Sequence, residues 1–288
     1  MTQSALARQV WRPKRWPQHL WQSLEGPTWL VLLGTYGNWL MLTAYADRLP
    51  WFILLPFAGV IMCLHGSLQH ELIHGHPTSK RWLNHALGFA PLALWIPFAI
   101  YRDSHLEHHR TEHLTHPERD PESFYVSAPA WARMGRLRRN LLVFNNTLLG
   151  RLLIGPPLVV GQFWWRELRR LYSGDKRYLA TWLGHGIAVS AVLWWALSVC
   201  GITFWQYVLF FVWPGIALTL LRSYAEHRPA AIARHRTAIV ECCWFWQLLF
   251  LNNSYHALHH LRPGLAWYQL PRRYRTEKDA LLAANDII

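Results

Sequence analysis

Acidic residues and cysteines are scarce in this chain. Asp and Glu number 16 against 29 Lys and Arg, and charged residues make up only 16% of the 288 positions, where soluble domains average about 25%. The four cysteines, Cys63, Cys200, Cys242 and Cys243, form no C-x-x-C pair. That excludes the common thiolate metal knuckle and the dithiol redox motif, and leaves them as expected small buried apolar side chains. The basic opening stretch, MTQSALARQVWRPKRWPQHLW, has no short apolar core followed by small residues, so a cleaved signal peptide is not expected. Internal repeats and low-complexity tracts are also missing.

Apolar and aromatic residues, by contrast, abound. The chain is 52% hydrophobic, with 19 Trp and 17 His. A net charge of +13 alone would suit nucleic acid, an anionic membrane surface, or the cytoplasmic loops of a membrane protein. The long apolar runs decide for the membrane and against nucleic acid. A spanning helix needs roughly 20 mostly apolar residues, and four runs qualify: 28–46, 51–69, 179–200 and 203–221. The first two are joined by DRLP and the last two by GI, so they are expected to form two transmembrane hairpins. Of all the Lys and Arg, only Arg48 falls in either short connection. The positive-inside rule then places both termini and the long middle segment in the cytoplasm.

Three further apolar stretches fit spanning less well. Residues 82–100 contain Pro91 and Pro97, and 141–165 carry Asn145, Asn146, Arg151 and the pair Pro156-Pro157. Both are expected to be interfacial or re-entrant. The 14-residue run 238–251 is too short to cross and is expected along the interface. The expected fold is one all-α membrane domain over 1–288, with four spans, interfacial helices and a histidine-rich cap from segments 70–140 and 222–288.

The histidines are patterned. His70 and His74 lie in QHELIHGHP, His105, His108 and His109 in SHLEHHR, and His256, His259 and His260 in YHALHHL, while His227 stands alone in YAEHRP. On a helix, residues i, i+3 and i+4 share one face, so each box aims its imidazoles in one direction. The second and fourth spans both return to the cytoplasmic side, so all nine histidines can converge there. Neutral imidazole is the commonest metal ligand, and nine exceed the needs of one ion. Two six-coordinate ions would take about twelve ligands, leaving room for water, oxygen or substrate. Gly75 and Pro77 are expected to end the helix after the first box.

Of the remaining histidines, His65 and His185 are expected to bond a backbone carbonyl or line a cavity. His76, His113 and His116 neighbour the boxes as candidate donors to a metal site. Glu71, Glu107, Glu112 and Asp120 are candidate acceptors for ligand N–H groups, with plain solvated charge the competing reading. His19, His85 and His235 are expected at the surface or interface.

H-x-x-x-H, H-x-x-H-H and a late H-x-x-H-H, set apart by two hairpins, resemble the integral-membrane fatty acid desaturase and hydroxylase superfamily. HPERDPES after the second box and YHALHHLRPGLAWYQLPRRYR around the third resemble the flanks of that family, and the likeness covers about 28–276. It implies two non-haem irons, dioxygen as oxidant, and electrons from a separate ferredoxin, rubredoxin or cytochrome, since the chain has no His-Pro-Gly-Gly haem motif. The family's ligands map onto His70, His74, His105, His108, His109, His227, His256, His259 and His260. An Asn that some members carry one turn before the lone histidine is Ser223 here.

The resemblance implies desaturation of an acyl chain in a lipid or thioester. Hydroxylation or ketolation of a carotenoid, alkane or small amphiphilic metabolite is the alternative within the same class. An acidic electron carrier would suit the basic cytoplasmic surface. Two other classes compete. H-E-x-x-H also spells a zinc protease, with Glu71 as general base, but that leaves seven histidines without a role. A metal-storing or metal-transporting membrane protein needs no redox chemistry at all.

Overall fold

The computed structural model describes residues 24–285; His19 and the rest of the basic N-terminal stretch lie outside the described residues. Among the described residues the regular elements are helical, and one isolated antiparallel bridge joins His227 to Thr237. Helices α1 (Gly26–Ala44), α2 (Trp51–Ile73), α3 (Arg81–Gly88) and α4 (Phe98–Arg110) come first. They are followed by α5 (Ala128–Arg133), α6 (Arg136–Asn145), α7 (Leu148–Leu153) and α8 (Gly155–Tyr172). The long pair α9 (Leu179–Val199) and α10 (Phe204–Glu226) follows. The chain closes with α11 (Trp244–Leu249), α12 (His256–Leu261) and α13 (Leu270–Ala284).

Three of the four expected spans, α2, α9 and α10, are long and apolar enough to cross a membrane. The fourth, expected at 28–46, is α1, a 19-residue helix in which three glycines, three threonines and Asn38 dilute the leucines. Two boundaries move. Helix α2 runs on from 69 to Ile73 and α10 from 221 to Glu226, so each continues without a break into the histidine region. The outward faces carry exposed Leu30, Leu33, Phe52, Leu183, Ile187 and Trp205, a coat that suits lipid.

The ambiguous stretches break as their prolines suggest. Residues 82–100 divide into α3, an irregular segment and the start of α4, whose N-cap is Pro97. Residues 141–165 divide among α6, α7 and α8; the Thr147 side chain caps α7, and prolines occupy the first turn of α8. The run 238–251 is only partly helical. Only α11 is helical, and 238–240 is extended, because the Ala238 carbonyl accepts the Ala257 N–H and Val240 donates to the Ser254 carbonyl. Only Cys63 of the four free cysteines is fully buried, and Cys243 is exposed, against the expectation for it.

Helices α2 and α10 pack closely through small residues. A Cβ at Gly59 would sit 2.9 Å from Pro214 Cβ, and one at Gly215 would overlap the Cβ of Met62. Without a hydrophobic drive between helices in lipid, such close backbone approach supplies the dispersion contact that holds them. Nearby, Tyr207 is fully buried, stacks on Phe211 at 5.2 Å, donates to the Leu92 carbonyl and accepts from Trp39 Nε1. This knot ties α1, the loop after α3 and α10 together.

Replacing Gly215 with Val is expected to force α2 and α10 apart and cost about 1–3 kcal/mol, read as a lower unfolding temperature in detergent. Gly37→Ala, where a Cβ meets nothing, should leave that temperature level or raise it. An unchanged midpoint for the Gly215 variant would refute the tight α2–α10 seam.

Candidate metal centre

Each histidine reaches the centre from an element shaped to deliver it. His70 sits in the last turn of α2 and His74 is its C-cap. Gly75 then takes φ +95°, the left-handed conformation that ends a helix, as expected. His105, His108 and His109 share one face of α4, and His256, His259 and His260 one face of the short α12. His227 leaves α10 in an extended conformation, held by the backbone pair formed by Ala238 N–H and the Glu226 carbonyl, and by Arg228 N–H and the Arg236 carbonyl.

The structure brings all nine together, in two groups. One nitrogen from each of His70, His74, His105, His109 and His259 lies within 4.8 Å of the others, and His108, His227, His256 and His260 form a second such group. Within the first, Nε2 of His74 and His105 are 3.0 Å apart, His109 and His105 3.1 Å, and His259 and His109 3.2 Å. Within the second, His108–His227, His256–His227 and His260–His256 are each 3.0 Å between Nε2 atoms.

The far sides of the rings show what these short distances mean. His108 Nδ1 is 2.7 Å from Asp120, His105 Nδ1 is 3.1 Å from Glu122, and His227 Nδ1 is 3.2 Å from the Arg236 carbonyl. Those partners are acceptors, so each Nδ1 carries a proton and each Nε2 is turned inward. Two imidazole nitrogens facing at 3.0 Å need a cation between them, a proton or a metal ion. The donor set is imidazole throughout with no thiolate, a set that suits iron, zinc, copper or nickel. The residues present therefore fit two metal ions, one per group.

Electrostatics divide the set. Burial opposes a charge on His108, but its Asp120 bond and the nearby carboxylates outweigh that and raise it above the ordinary histidine value. Other rings are lowered. Burial lowers His227 to about 4, with the nearby His108 adding to it. Burial and neighbouring imidazoles likewise hold His109, His256, His259 and His260 well below the ordinary histidine value, so they stay neutral and available as ligands. Glu122 goes the other way: burial opposes its charge, but His105 and its hydrogen bond outweigh that and hold it at about 2. Asp120 is also held below its usual value, chiefly by the His108 bond against the cost of burial. Its carboxylate is further fixed by the N–H groups of Thr115 and Glu122.

Among the candidate acceptors, Asp120 takes the expected place, whereas Glu107 and Glu112 are exposed and touch none of the nine. Glu71 lies behind His70, with Oε1 3.7 Å from Nδ1 and Oε2 accepting the Trp267 N–H. That is the wrong side of the ring for a general base acting on metal-bound water, which argues against a zinc protease. Glu122 and Glu226 escaped sequence reasoning. Glu122 could have been found beside Asp120 in HPERDPES; Glu226, 3.7 Å from His256 Nδ1, carries no motif signal. His76 bonds Glu25 at 2.6 Å, and His185 meets the Leu94 carbonyl at 2.9 Å. His65 lines a cavity, whereas His113 is exposed and His116 bonds the Glu118 N–H.

That cavity, of about 530 Å³, adjoins the centre. His105, His108, His227 and His256 form part of its wall, and Met62, Ile216, Leu220 and Phe163 line an apolar part. The volume falls within the range of small-molecule sites, about 300–1,000 Å³.

Comparison with known families settles the wider relationship. The fatty acid desaturase family matches residues 46–287. The chain belongs to the fatty acid desaturase family. With three helices long and apolar enough to cross a membrane, it is accordingly a membrane oxidoreductase of desaturase or hydroxylase type with histidine groups able to hold metal. Among curated proteins, no sequence matches it.

Asp120→Asn and Glu122→Gln each remove a charge behind one imidazole. Each is expected to weaken metal retention about 10- to 100-fold, measured by competition with a chelator and elemental analysis. Wild-type retention in both would show that these carboxylates do not orient ligands.

Proposed function

We propose that the chain is a di-iron, dioxygen-dependent fatty acyl desaturase acting on an acyl lipid or acyl thioester. The observation that carries this reading is the arrangement of the two imidazole groups against a largely apolar cavity. In it, His70, His74, His105, His109 and His259 hold one iron, and His108, His227, His256 and His260 the other. Bound iron supplies the dioxygen-dependent oxidation of an unactivated C–H bond, which redox-inactive zinc does not. The overall balance is simple: a CH2–CH2 unit loses two hydrogens and dioxygen becomes two waters. Two electrons come from the substrate and two from a carrier, with two protons from solvent.

The protein's own part is positional. Asp120, Glu122 and the Arg236 carbonyl hold three of the imidazoles by their far nitrogens, so their Nε2 atoms stay aimed inward. The apolar walls of the cavity keep water from the reacting carbon. Helix α1 completes a set of four spans, both termini and the metal centre lie on the cytoplasmic side, and an acidic ferredoxin, rubredoxin or cytochrome docks on the basic surface there. Hydroxylation of an apolar or amphiphilic substrate is the second reading, favoured by the polar groups that share the cavity, such as Arg222 and Tyr101.

Expression in a host without related enzymes, wild type against His109→Ala, tests both. Lipid and metabolite mass spectra should show a product two hydrogens lighter than its precursor in the wild type alone, and purified protein should contain two irons. A product heavier by one oxygen would establish hydroxylation instead. Bound zinc with full turnover in His109→Ala would refute the di-iron assignment.

A further inference from the structure

Arg222 stands five residues before His227 on α10, in the wall of the cavity, and is only 7% exposed. Its ionic partner is Glu226, one turn on, with Nε 3.1 Å from Oε1. The alignment is poor, and neither Nε nor the buried Nη1 has a hydrogen-bond partner. Glu226 is meanwhile shared, since Asn253 Nδ2 donates to the same oxygen and His256 Nδ1 lies 3.7 Å from it. Tyr101, also in the cavity wall, brings its hydroxyl against the guanidinium.

A buried charged donor without an acceptor is costly. Beyond Glu226 and Tyr101 the neighbouring side chains are already engaged, so an oxygen that satisfies Nε or Nη1 has to come from the cavity. Ser223 Oγ donates to the Leu220 carbonyl, and Thr219 Oγ1 to the Gly215 carbonyl. Earlier on α10 the wall turns apolar, where Ile216 and Leu220 line the cavity together with Met62 of α2. Among the charged groups of the cavity wall, Arg222 is the arginine five residues before the lone histidine, with the apolar Ile216 and Leu220 on its own helix.

We infer that Arg222 is a specificity-determining residue that binds a carbonyl-type oxygen of the substrate. The substrate is then an oxygenated carbon chain, oxidised close to that oxygen, with its apolar part along Ile216 and Met62. Carboxylate and ester share the required acceptor. A charge-assisted hydrogen bond supplies the preference, and a plain alkane forfeits it. The inference rests on the reading that this cavity holds the substrate.

Binding can be measured apart from turnover. Iron-loaded protein in detergent is titrated with dodecanoic acid, methyl dodecanoate and dodecane, following tryptophan fluorescence, for wild type, Arg222→Lys, Arg222→Gln and the charge-balanced Arg222→Gln/Glu226→Gln. The wild type should bind the acid, the ester or both at least tenfold more tightly than dodecane. Gain for both identifies any carbonyl oxygen as the ligand, and gain for the acid alone identifies the carboxylate. The glutamine variants should lose the difference while dodecane affinity holds, and Arg222→Lys should retain part of it. Should Arg222→Gln misfold around an unpaired Glu226, the double variant decides. Equal affinity for all three probes in the wild type, or an undiminished preference in a folded glutamine variant, overturns the inference. Failure of the desaturase reading shows separately, as missing iron or turnover with the binding preference intact.

Discussion

Imidazole nitrogens facing one another across 3.0 Å are the constraint on which the rest of this structure depends. His108 and His227 are each held at Nδ1 by an acceptor, which aims the Nε2 atoms of both rings at each other. Every element around the centre serves to impose this arrangement. Helices α2 and α10 extend beyond the length a bilayer needs. Asp120 is held by two backbone N–H groups so that it can hold His108. The chain after His227 doubles back to Thr237 and so places the Arg236 carbonyl behind the lone histidine. Crowding nine imidazoles at one place favours cations there, and a metal that binds this arrangement adds its binding energy to the stability of this end of the molecule.

The membrane part works as the rigid base for that cap. Because Gly59 and Gly215 admit the neighbouring helix to backbone distance, α2 and α10 are locked in translation and rotation. The histidines at their ends inherit this rigidity: His70 is on the last turn of α2, and His227 directly follows α10. A ligand at the end of a well-packed helix needs little further fixing: His70 has Glu71 at 3.7 Å behind it, and His227 has one carbonyl. Ligands on α12, a helix of six residues, have no such base. They depend on the extended pairing of 238–240 with 254–257 instead.

Legibility in the sequence followed the same division. Helical spacing and apolar length act locally, so the nine histidines, the spans at α2, α9 and α10, and the end of α2 at Gly75 could be read from the residues. What depends on long-range pairing could not. The Ile239–Val240 segment reads as part of an apolar interfacial run, yet two backbone hydrogen bonds to residues 254–257 make it extended. Glu226 and Glu122 look like ordinary solvated charge until the fold buries them beside imidazoles. Glu71 illustrates the reverse case, where a motif suggested a catalytic role and the fold turned the carboxylate to the back of the ring. Cys243 reads as a core residue only because its neighbours are apolar, and exposure is not a local property.

The two imidazole groups differ in a way that bears on direction of approach. Of the group of five, only His105 borders the cavity, whereas His108, His227 and His256 of the group of four all do. The smaller group also lacks the amide that some relatives are expected to place one turn before the lone histidine. Ser223 occupies that position, and its hydroxyl is turned to the Leu220 carbonyl. Fewer protein nitrogens and a shared wall with the cavity coincide at the same group. Under the di-iron reading, the substrate would approach from the side of the four-histidine group. The five-histidine group, carried by α2, α4 and α12, meets the cavity through His105. The crowded imidazoles define the centre, and their unequal share of the cavity wall gives it a front and a back.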